Sequence, residues 1–353
     1  MINLFHPYVP EEAISEVVAT LRTKFIAQGY KVDKFEHEFS KRFRQNYCVS
    51  VNSGTSALEM AYDLIGLKEG DEVITTPLTC TATNIPLLHR KVKIVWADIL
   101  SDTLCIDPED VLKKITTKTA AVVQVHLGGV QADVGWLPAI PVVSDACQAL
   151  GIFNSSYTAC SFQAIKHITT GDGGMLVVRN EDEYKKAKLM RWFGIDRERQ
   201  IPATWESYRT RMMSFDIEVL GGKKHMNDID AVMGLAGLAH YDSIMAHRNK
   251  LAKIYKEMLF ETNVQVVDGT NNTWWLFTVL VEKRDDFARM LYDWGVETNI
   301  VQRRNDVYTI FGGKKADLPV LNSIEDKYIS LPIGMHVKED DVAHICKKIR
   351  KGW

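Results

Sequence analysis

The sequence predicts an α/β fold, with a mostly parallel sheet flanked by helices in a large first domain and a smaller α+β unit at the C-terminus. Its 353 residues are too many for one small core, and chains of this length usually divide into two domains. From about residue 47 to 180, short β-branched runs alternate with helical patterns. These runs show little alternation between apolar and polar residues, which indicates strands that are covered on both faces.

The predicted elements follow this alternation through the first half of the chain. Strands are predicted at Glu72–Thr75, Val92–Ala97, Ala120–Val125, Pro141–Ser144 and Met175–Val178. Helices are predicted between them at Ser56–Gly66 and Pro108–Ile115. This order of strands and helices is typical of a sheet with helices on its faces.

The second half begins with a long helical pattern from about Asn227 to Leu259, which contains no proline and leaves the large domain. The remaining residues mix strand and helix patterns, as in a compact α+β unit. These are a strand at Trp274–Val281 and helices at Asp285–Trp294 and Glu339–Ile349. We therefore expect a large domain over residues 1–240 and a small domain over residues 241–353.

Composition argues against several classes of protein. The 43 basic and 45 acidic residues leave a formal net charge of −2, so there is no electrostatic reason to expect nucleic acid or an anionic membrane as a partner. The six cysteines form no C-x-x-C pair, which disfavours a structural metal site and a disulfide framework. The N-terminus does not match a secretory signal, and no apolar run is long enough to span a membrane. We expect a cytoplasmic protein that holds no metal.

Three segments carry residues that are suited to chemistry. Asn52–Ser56 precedes a helix, where backbone amides and small hydroxyl residues can bind an anion. Asp145 follows a buried strand, at the edge of a parallel sheet where ligands bind. Lys166 follows Ser161 and precedes a glycine-rich turn. Each also has an ordinary structural interpretation, as a helix cap, a turn carboxylate and a solvated lysine.

Together the three segments favour a pyridoxal phosphate site. Such a site needs a lysine that forms a Schiff base with the aldehyde, a carboxylate that keeps the pyridine nitrogen protonated, and hydroxyl and amide groups that hold the phosphate. Lys166, Asp145 and the S-G-T helix start supply these parts. No G-x-G-x-x-G or Walker A sequence occurs, so a dinucleotide site or a P-loop has no support.

With these parts in order, the chain resembles the DegT-type nucleotide-sugar aminotransferases, which are fold-type I pyridoxal phosphate enzymes. The matching segments cover most of the chain: VNSGTSALEMAYDLIGLKEGDEVIT, VVSDACQALG, SFQAIKHITTGDGG, LGGKKHMNDIDAVMGLAGL and YISLPIGMHVKEDDV. The resemblance implies that Lys166 is the Schiff-base lysine and proton carrier, that Asp145 binds the pyridine nitrogen, and that Gln148 binds the phenolic oxygen. It also implies phosphate contacts from Gly54, Thr55 and Ser161.

Three further positions bear on this resemblance. Lys223 falls where the family places a residue that reaches the neighbouring subunit's cofactor phosphate, which implies a homodimer with shared active sites. Cys80 stands where the family usually has an aromatic residue stacked on the cofactor ring, so we expect weaker stacking, or its replacement by a thiol contact or a nearby residue. A subset of the family has histidine in place of the lysine and performs dehydration, and the retained Lys166 favours transamination.

The acceptor site is less clearly marked. Two arginines can clamp a diphosphate, although a solvated basic turn fits the same pattern. The candidate donors are Arg303, Arg304 and Asn305. His126 follows a strand and is expected to line the site or the cofactor edge, with a structural histidine as the alternative. Trp274 and Trp275 are interpreted as core and interface bulk.

The sequence therefore predicts an aminotransferase that takes the amino group of L-glutamate and passes it to a keto sugar linked to a nucleoside diphosphate, in a ping-pong reaction. The resemblance implies a 4-keto-6-deoxyhexose as acceptor and a perosamine- or viosamine-type product. Two alternatives stay open: a pyridoxal phosphate-dependent sugar dehydratase of the same fold, and a pyridoxal phosphate-binding regulator that has lost turnover.

Overall fold

A seven-stranded sheet organises the first half of the chain in the computed structural model, which describes residues 1–135, 137, 139–196 and 216–353. Its strands are β1 (Cys48–Val51), β2 (Glu72–Thr75), β3 (Lys93–Trp96), β4 (Thr119–Val125), β5 (Val142–Asp145), β6 (Tyr157–Ser161) and β7 (Gly174–Val177). Their order is β1-β7-β6-β5-β4-β2-β3. Strand β7 pairs antiparallel with both β1 and β6, and the other pairs are parallel. The predicted mostly parallel sheet is confirmed.

Helices cover both faces of this sheet. They are α1 (Glu11–Thr23), α2 (Tyr30–Phe43), α3 (Gly54–Ile65), α4 (Thr81–His89), α5 (Pro108–Lys114) and α6 (Glu181–Met190). Along β4, Ala121 and Val123 belong to one apolar cluster with Leu58 of α3, whereas Val122 belongs to another cluster with Val111 of α5. Because successive strand residues point to opposite faces, both faces are buried, as the low alternation of the strand sequences predicts.

The C-terminal half forms a second, smaller α+β unit, as predicted. Helix α7 (Asp228–Ala239) still packs against α1 and α2 of the large unit. The elements of the smaller unit are α8 (Tyr241–Leu259), β8 (Gln265–Val266), β9 (Phe277–Leu280), α9 (Arg284–Asp293), α10 (Pro319–Ile324), β10 (Tyr328–Leu331) and α11 (Glu339–Ile349). The strands pair antiparallel in the order β10-β9-β8. Val279 of the sheet belongs to one apolar cluster with Leu251, Phe287 and Ile345 of the helices. Among the described residues, no helix is both long enough and apolar enough to cross a membrane.

The helical pattern predicted at Asn227–Leu259 is two helices rather than one. Helix α7 ends and α8 begins at His240, whose φ and ψ are −93° and 0°. The phenol of Tyr241 donates a hydrogen bond to the carbonyl of Leu150 at 2.6 Å. This contact ties the start of α8 to the large sheet's unit while Leu251 packs against the small sheet. Tertiary contacts on both sides therefore divide a segment whose sequence contains no proline.

The strand predicted at Trp274–Val281 begins later, at Phe277. Trp274 has a φ of 50°, which no strand residue adopts. The buried guanidinium of Arg248 donates Nη1 hydrogen bonds to the carbonyls of Trp274 and Trp275, at 2.8 and 3.2 Å. Because these carbonyls bind a side chain instead of a strand, the first part of the apolar run lies outside the sheet.

Candidate active site

A cavity of about 450 Å³ lies at the edge of the large sheet where β1, β5 and β6 end. It is lined by residues of both units, because Trp275 and Gln302 of the C-terminal half face the strand ends. Seven residues that the sequence predicts as cofactor ligands are brought together on its walls: Gly54, Thr55, Cys80, Asp145, Gln148, Ser161 and Lys166. Another cavity of about 600 Å³, beside Tyr184 and Lys188, contains none of them.

Lys166 lies in a turn that follows β6, and its amine lies inside the cavity wall. The Nζ atom is 3.8 Å from the centroid of the Trp275 ring. Burial lowers the pKa of this amine, while the thiol of Cys147 and the carboxyl group of Asp145 act in the opposite direction. A buried amine with a lowered pKa is uncharged more often at neutral pH, so it is a better nucleophile and proton acceptor than an exposed lysine.

Asp145 is the last residue of β5 and is buried at the cavity wall. Its Oδ2 accepts a hydrogen bond from the hydroxyl of Thr83 at 2.6 Å, and its Oδ1 accepts one from the amide of Cys147 at 3.1 Å. Both donors are neutral, so among the described residues this buried carboxylate has no cation paired with it. A buried anion of this kind can bind a positively charged ring nitrogen.

Ser53 and helix α3 form an anion-binding edge of the cavity. The hydroxyl of Ser53 accepts a hydrogen bond from the amide of Ser56 at 3.0 Å, so the capping interpretation is confirmed. The amides of Gly54 and Thr55, in the first turn, remain available to an anion. A Cβ at position 54 would lie 2.6 Å from Sγ of Cys147 and 2.9 Å from Cβ of Ser161. Glycine is therefore needed for the close approach of α3 to the ends of β5 and β6.

Gln148 is held in one orientation at the cavity. Its Oε1 accepts a hydrogen bond from the amide of Gly128 at 2.8 Å. This bond uses the acceptor and leaves the NH2 group as the donor toward a ligand.

His126 lies next to the cavity but not on its wall, and it is fully buried. Its Nδ1 accepts a hydrogen bond from the amide of Ala132 at 2.9 Å, which places the proton on Nε2. Burial lowers the pKa of this imidazole to about 3, so it stays neutral. Among the described residues, the buried Nε2 has no hydrogen-bond partner, so the fold satisfies only one of the two ring nitrogens.

The three consecutive polar residues of the predicted acceptor site point in different directions. Arg304 is buried and donates to both carboxylate oxygens of Asp306, at 2.7 and 2.6 Å, and to Glu325 at 3.1 Å. Asn305 is also buried, and its NH2 group donates to the carbonyl of Thr79 at 2.8 Å. Neither reaches the cavity wall. Arg303 is exposed and follows the cavity residue Gln302.

Lys223 lies outside this cavity and its side chain is exposed. Its carbonyl accepts a hydrogen bond from the side chain of Asn52 at 3.3 Å, next to the phosphate-binding edge. Lys223 is not among the described residues that line the cavity beside Lys166.

A model of the DegT/DnrJ/EryC1/StrS aminotransferase family matches residues 7–350. The chain belongs to this family.

Relatives and solved structures agree with this membership over nearly the whole chain. The spore coat polysaccharide biosynthesis protein SpsC of Bacillus subtilis is 30% identical, over 99% of this chain and 97% of that protein. The GDP-perosamine synthase of Escherichia coli O157:H7 is 27% identical, over 92% of this chain and 91% of that protein. The crystal structure of the sugar aminotransferase CalS13 from Micromonospora echinospora is 29% identical, with a TM-score of 0.91 and 100% of both chains covered. The chain is an enzyme of this aminotransferase family.

Pyridoxal phosphate is the cofactor of the family, and the cavity fits it. The amine of Lys166, the unpaired carboxylate of Asp145 and the amides at the start of α3 lie around one space. An amine, an anion and an anion-binding helix start match the aldehyde, the pyridine nitrogen and the phosphate in turn. Cys80 also lines this space, as the alignment of its segment predicts.

Sequence reasoning missed several residues of the cavity. Trp275, interpreted as bulk, lies against the Lys166 amine, and Phe5 reaches the cavity from the far N-terminus. Cys147 lies inside the SDACQ segment, lines the cavity, and its amide donates a hydrogen bond to Oδ1 of Asp145. Of these three residues, Cys147 had a signal in the sequence, because it follows Asp145 by two residues.

Proposed function

We propose that this enzyme transfers the amino group of L-glutamate to a keto sugar linked to a nucleoside diphosphate, with a 4-keto-6-deoxyhexose as the acceptor. The observation that carries the proposal is the placement of Lys166 and Asp145 on the walls of one cavity, in a chain of this family. The names of two relatives support the acceptor class, since one is a GDP-perosamine synthase and the other acts in spore coat polysaccharide biosynthesis.

Three sets of residues around the cavity would hold the cofactor. The amides of Gly54 and Thr55, with the hydroxyl of Ser161, bind its phosphate. Asp145 keeps the proton on the ring nitrogen, and the NH2 group of Gln148 donates to the phenolic oxygen. When bound, pyridoxal phosphate supplies an aldehyde that condenses with amines and a ring that withdraws electrons from the substrate carbon.

Lys166 carries both the covalent link and the proton. Burial lowers the pKa of its amine, which favours the uncharged form that can attack a carbonyl carbon and later accept a proton from the substrate. In the protonated form the same group donates that proton to a neighbouring carbon. One amine in one position therefore serves both directions of the transfer.

A turn over the cavity supplies the proposed acceptor wall. The amide of Gln302 donates to the carbonyl of Ile300, and Val301 between them has a φ of 46°. A β-branched residue at positive φ is strained, and such strain concentrates at functional sites. The phenol of Tyr328 donates to the carbonyl of Gln302 at 3.0 Å and holds the turn in place. We assign Val301 and Gln302 to acceptor binding and the adjacent exposed Arg303 to the diphosphate.

The other predicted acceptor residues take supporting roles in this proposal. Arg304 and Asn305 fix the segment behind the turn through the contacts described above, and His126 fixes the end of β4. Lys223 is proposed to reach the cofactor phosphate of a second subunit, in a homodimer with shared active sites. The exposed position of its side chain, outside the cavity of its own chain, supports that placement.

The test separates donor from acceptor. The cofactor-loaded protein, given L-glutamate alone, is expected to release 2-oxoglutarate in an amount that matches the protein and then stop. Adding keto sugar nucleotides that differ in nucleotide and keto position should restart the reaction with one class. Lys166→Ala should release none, whereas Lys185→Ala, in an exposed pair with Glu181, should match the unchanged protein.

Each part of this proposal can fail separately. An absence of 2-oxoglutarate with glutamate would overturn the donor. Release of 2-oxoglutarate without amination of any 4-keto sugar nucleotide would overturn the acceptor.

A further inference from the structure

The indole of Trp275 is fixed to the same short segment as the catalytic lysine. Its Nε1 donates a hydrogen bond to the carbonyl of Ile165 at 2.9 Å, and Ile165 directly precedes Lys166. The Lys166 Nζ atom lies 3.8 Å from the centroid of the Trp275 ring. One hydrogen bond thus sets the position of the ring relative to the backbone from which the lysine side chain extends.

A second aromatic residue supports this ring. Phe5 stacks on Trp275 with the ring centroids 5.5 Å apart and an angle of 29° between the planes. The N-terminal segment that carries Phe5 is anchored on both sides of Asn3: the amide of Ile2 donates to the carbonyl of Gly295 at 2.7 Å, and the amide of Leu4 donates to Oε2 of Glu297 at 3.0 Å. Only 2% of Trp275 is exposed. The indole is therefore held rigidly in a buried position.

The Trp275 ring face lies against the Lys166 amine and favours its positive charge, while Cys147, Asp145 and Cys80 act on the amine in the same direction through space. Among the described residues, no carboxylate hydrogen-bonds to this amine. An aromatic face attracts an ammonium group, most strongly where water is excluded.

Trp274, which precedes Trp275, also has a lysine amine near its ring and allows a comparison. The amine of Lys256 lies 5.6 Å from the ring of Trp274, but it also forms an ion pair with Asp268 at 2.6 Å. Lys256 is exposed, and its charge is satisfied without the ring. Lys166 has the shorter ring distance and, among the described residues, no such pair.

We propose that Trp275 is a positioning residue that holds the Lys166 amine against the cavity wall whenever this amine is not bonded to the cofactor. The inference rests on the proposed function, in which the amine leaves its covalent link and returns in every turnover. An amine that rests at one place inside the cavity is ready to take up the substrate proton and to return to the same carbon. The ring face also favours the charged form of the amine and partly offsets the effect of burial.

The test reads the lysine directly, in the full-length protein without cofactor. Lysines are reductively dimethylated with ¹³C-formaldehyde, which preserves the positive charge, and the Lys166 signal is assigned as the one missing from Lys166→Arg. Methyl groups above an indole face are shifted upfield by the ring current. We expect an upfield Lys166 signal in the unchanged protein, and a return to the ordinary position, with a midpoint of titration lower by about one pH unit, in Trp275→Leu.

Two further variants keep the test decisive if Trp275→Leu folds poorly. Trp275→Phe keeps an aromatic face but loses the Nε1 hydrogen bond, so a smaller upfield shift is expected. Trp274→Phe is the matched control, because Trp274 stacks on the core residue Phe277 at 5.6 Å and does not line the cavity. It should leave the Lys166 signal unchanged.

The cofactor-loaded protein gives an independent readout. Trp275→Leu is expected to lower kcat at least tenfold with little change in KM for glutamate, and Trp275→Phe is expected to recover part of this loss. A Lys166 signal with ordinary position and midpoint in the unchanged protein, or one that Trp275→Leu does not move, would overturn the inference. If the signal behaves as expected but glutamate yields no 2-oxoglutarate, the position of the amine on the ring stands and the proposed amino donor fails.

Discussion

At the scale of single residues, the cavity contains an amine and a carboxylate that form no ion pair with each other among the described residues. The amine of Lys166 lies on an aromatic face, and the carboxylate of Asp145 is bound by the neutral Thr83 hydroxyl and Cys147 amide. A direct ion pair would satisfy both groups and compete with the cofactor. Because the described residues offer none, each charge remains available to a different part of the ligand.

Replacing the carboxylate tests this arrangement. Asp145→Asn is expected to weaken pyridoxal phosphate binding by about 10- to 100-fold, because a hydrogen bond to a charged group is exchanged for a neutral one. The dissociation constant can be measured from the absorbance of the cofactor as it is added to the protein. Asp182→Asn, at an exposed site in the first turn of α6, is the control and should bind as before. Equal affinity in Asp145→Asn would contradict the assigned role.

Two adjacent arginines allow a second test at this scale. Arg304→Met should reduce the free energy of unfolding by about 3–5 kcal/mol, since it leaves the fully buried Asp306 without its cation. Arg303→Met should change it by less than about 0.5 kcal/mol, since Arg303 is exposed. Urea denaturation compares the two. Similar losses from both variants would show that the buried pair is not what stabilises this segment.

Sequence reasoning at this scale succeeded where a motif fixed the spacing. Asp145 and Gln148 occur in one short segment, and both line the cavity. It could not separate Arg303 from Arg304, because the direction of each side chain depends on Asp306 and on elements that follow later in the chain. The position of Trp275 at the cavity could not be predicted from the sequence either, since only the fold brings its ring to Lys166.

At the scale of elements, three helices end in the same left-handed conformation with different residues. Helix α1 ends at Lys24 with φ 67°, α2 at Arg44 with φ 54°, and α3 at Gly66 with φ 80°. A residue with a Cβ pays a conformational penalty there, and glycine does not. The first two helices are therefore less stable at their ends than the third.

Opposite substitutions should have opposite effects at these ends. Lys24→Gly is expected to raise the free energy of unfolding by about 1 kcal/mol, and Gly66→Ala to lower it by about 1 kcal/mol. The side chain of Lys24 is exposed, and a Cβ at position 66 would meet no atom within 4 Å, so the backbone alone decides both results. Midpoints of chemical denaturation measure the changes. A loss of stability in Lys24→Gly would refute the argument.

Element boundaries were predictable where apolar runs and caps coincide. Strand β2 has the predicted bounds, Glu72–Thr75, and α11 has the predicted bounds, Glu339–Ile349. Strand β6 was missed because its sequence, YTACS, lacks an apolar run and is recognisable only by its pairing between β5 and β7. Pairing partners far along the chain carry information that local pattern does not.

At the scale of the whole molecule, the N-terminal segment contacts the C-terminal unit, although the predicted domain division places it in the large domain. Ile2 pairs with the backbone at Gly295, and Nε2 of His336 donates to the carbonyl of Asn3 at 2.7 Å. The first residues therefore pack with the C-terminal unit. The division into residues 1–240 and 241–353 stays a prediction. Because of these contacts, we propose that the N-terminal segment belongs with the second domain.

The proposed homodimer predicts complementation between two defective chains. Lys166→Ala and Lys223→Ala should each have little activity alone. A mixed dimer, isolated with two different tags, should recover about half of the unchanged activity, since one of its two sites receives both lysines. A mixed dimer without activity, or a fully active Lys223→Ala protein, would contradict shared sites.

The place of β1 at the edge of the large sheet has a consequence for synthesis. Its neighbour is β7, so Cys48–Val51 leaves the ribosome long before the strand that pairs with it. Until then its backbone groups have no sheet partner, and other nascent chains can pair with them. Ribosome stalling before Gly174 should therefore yield fragments that aggregate. Once the chain has emerged past Val177, β7 can pair with β1.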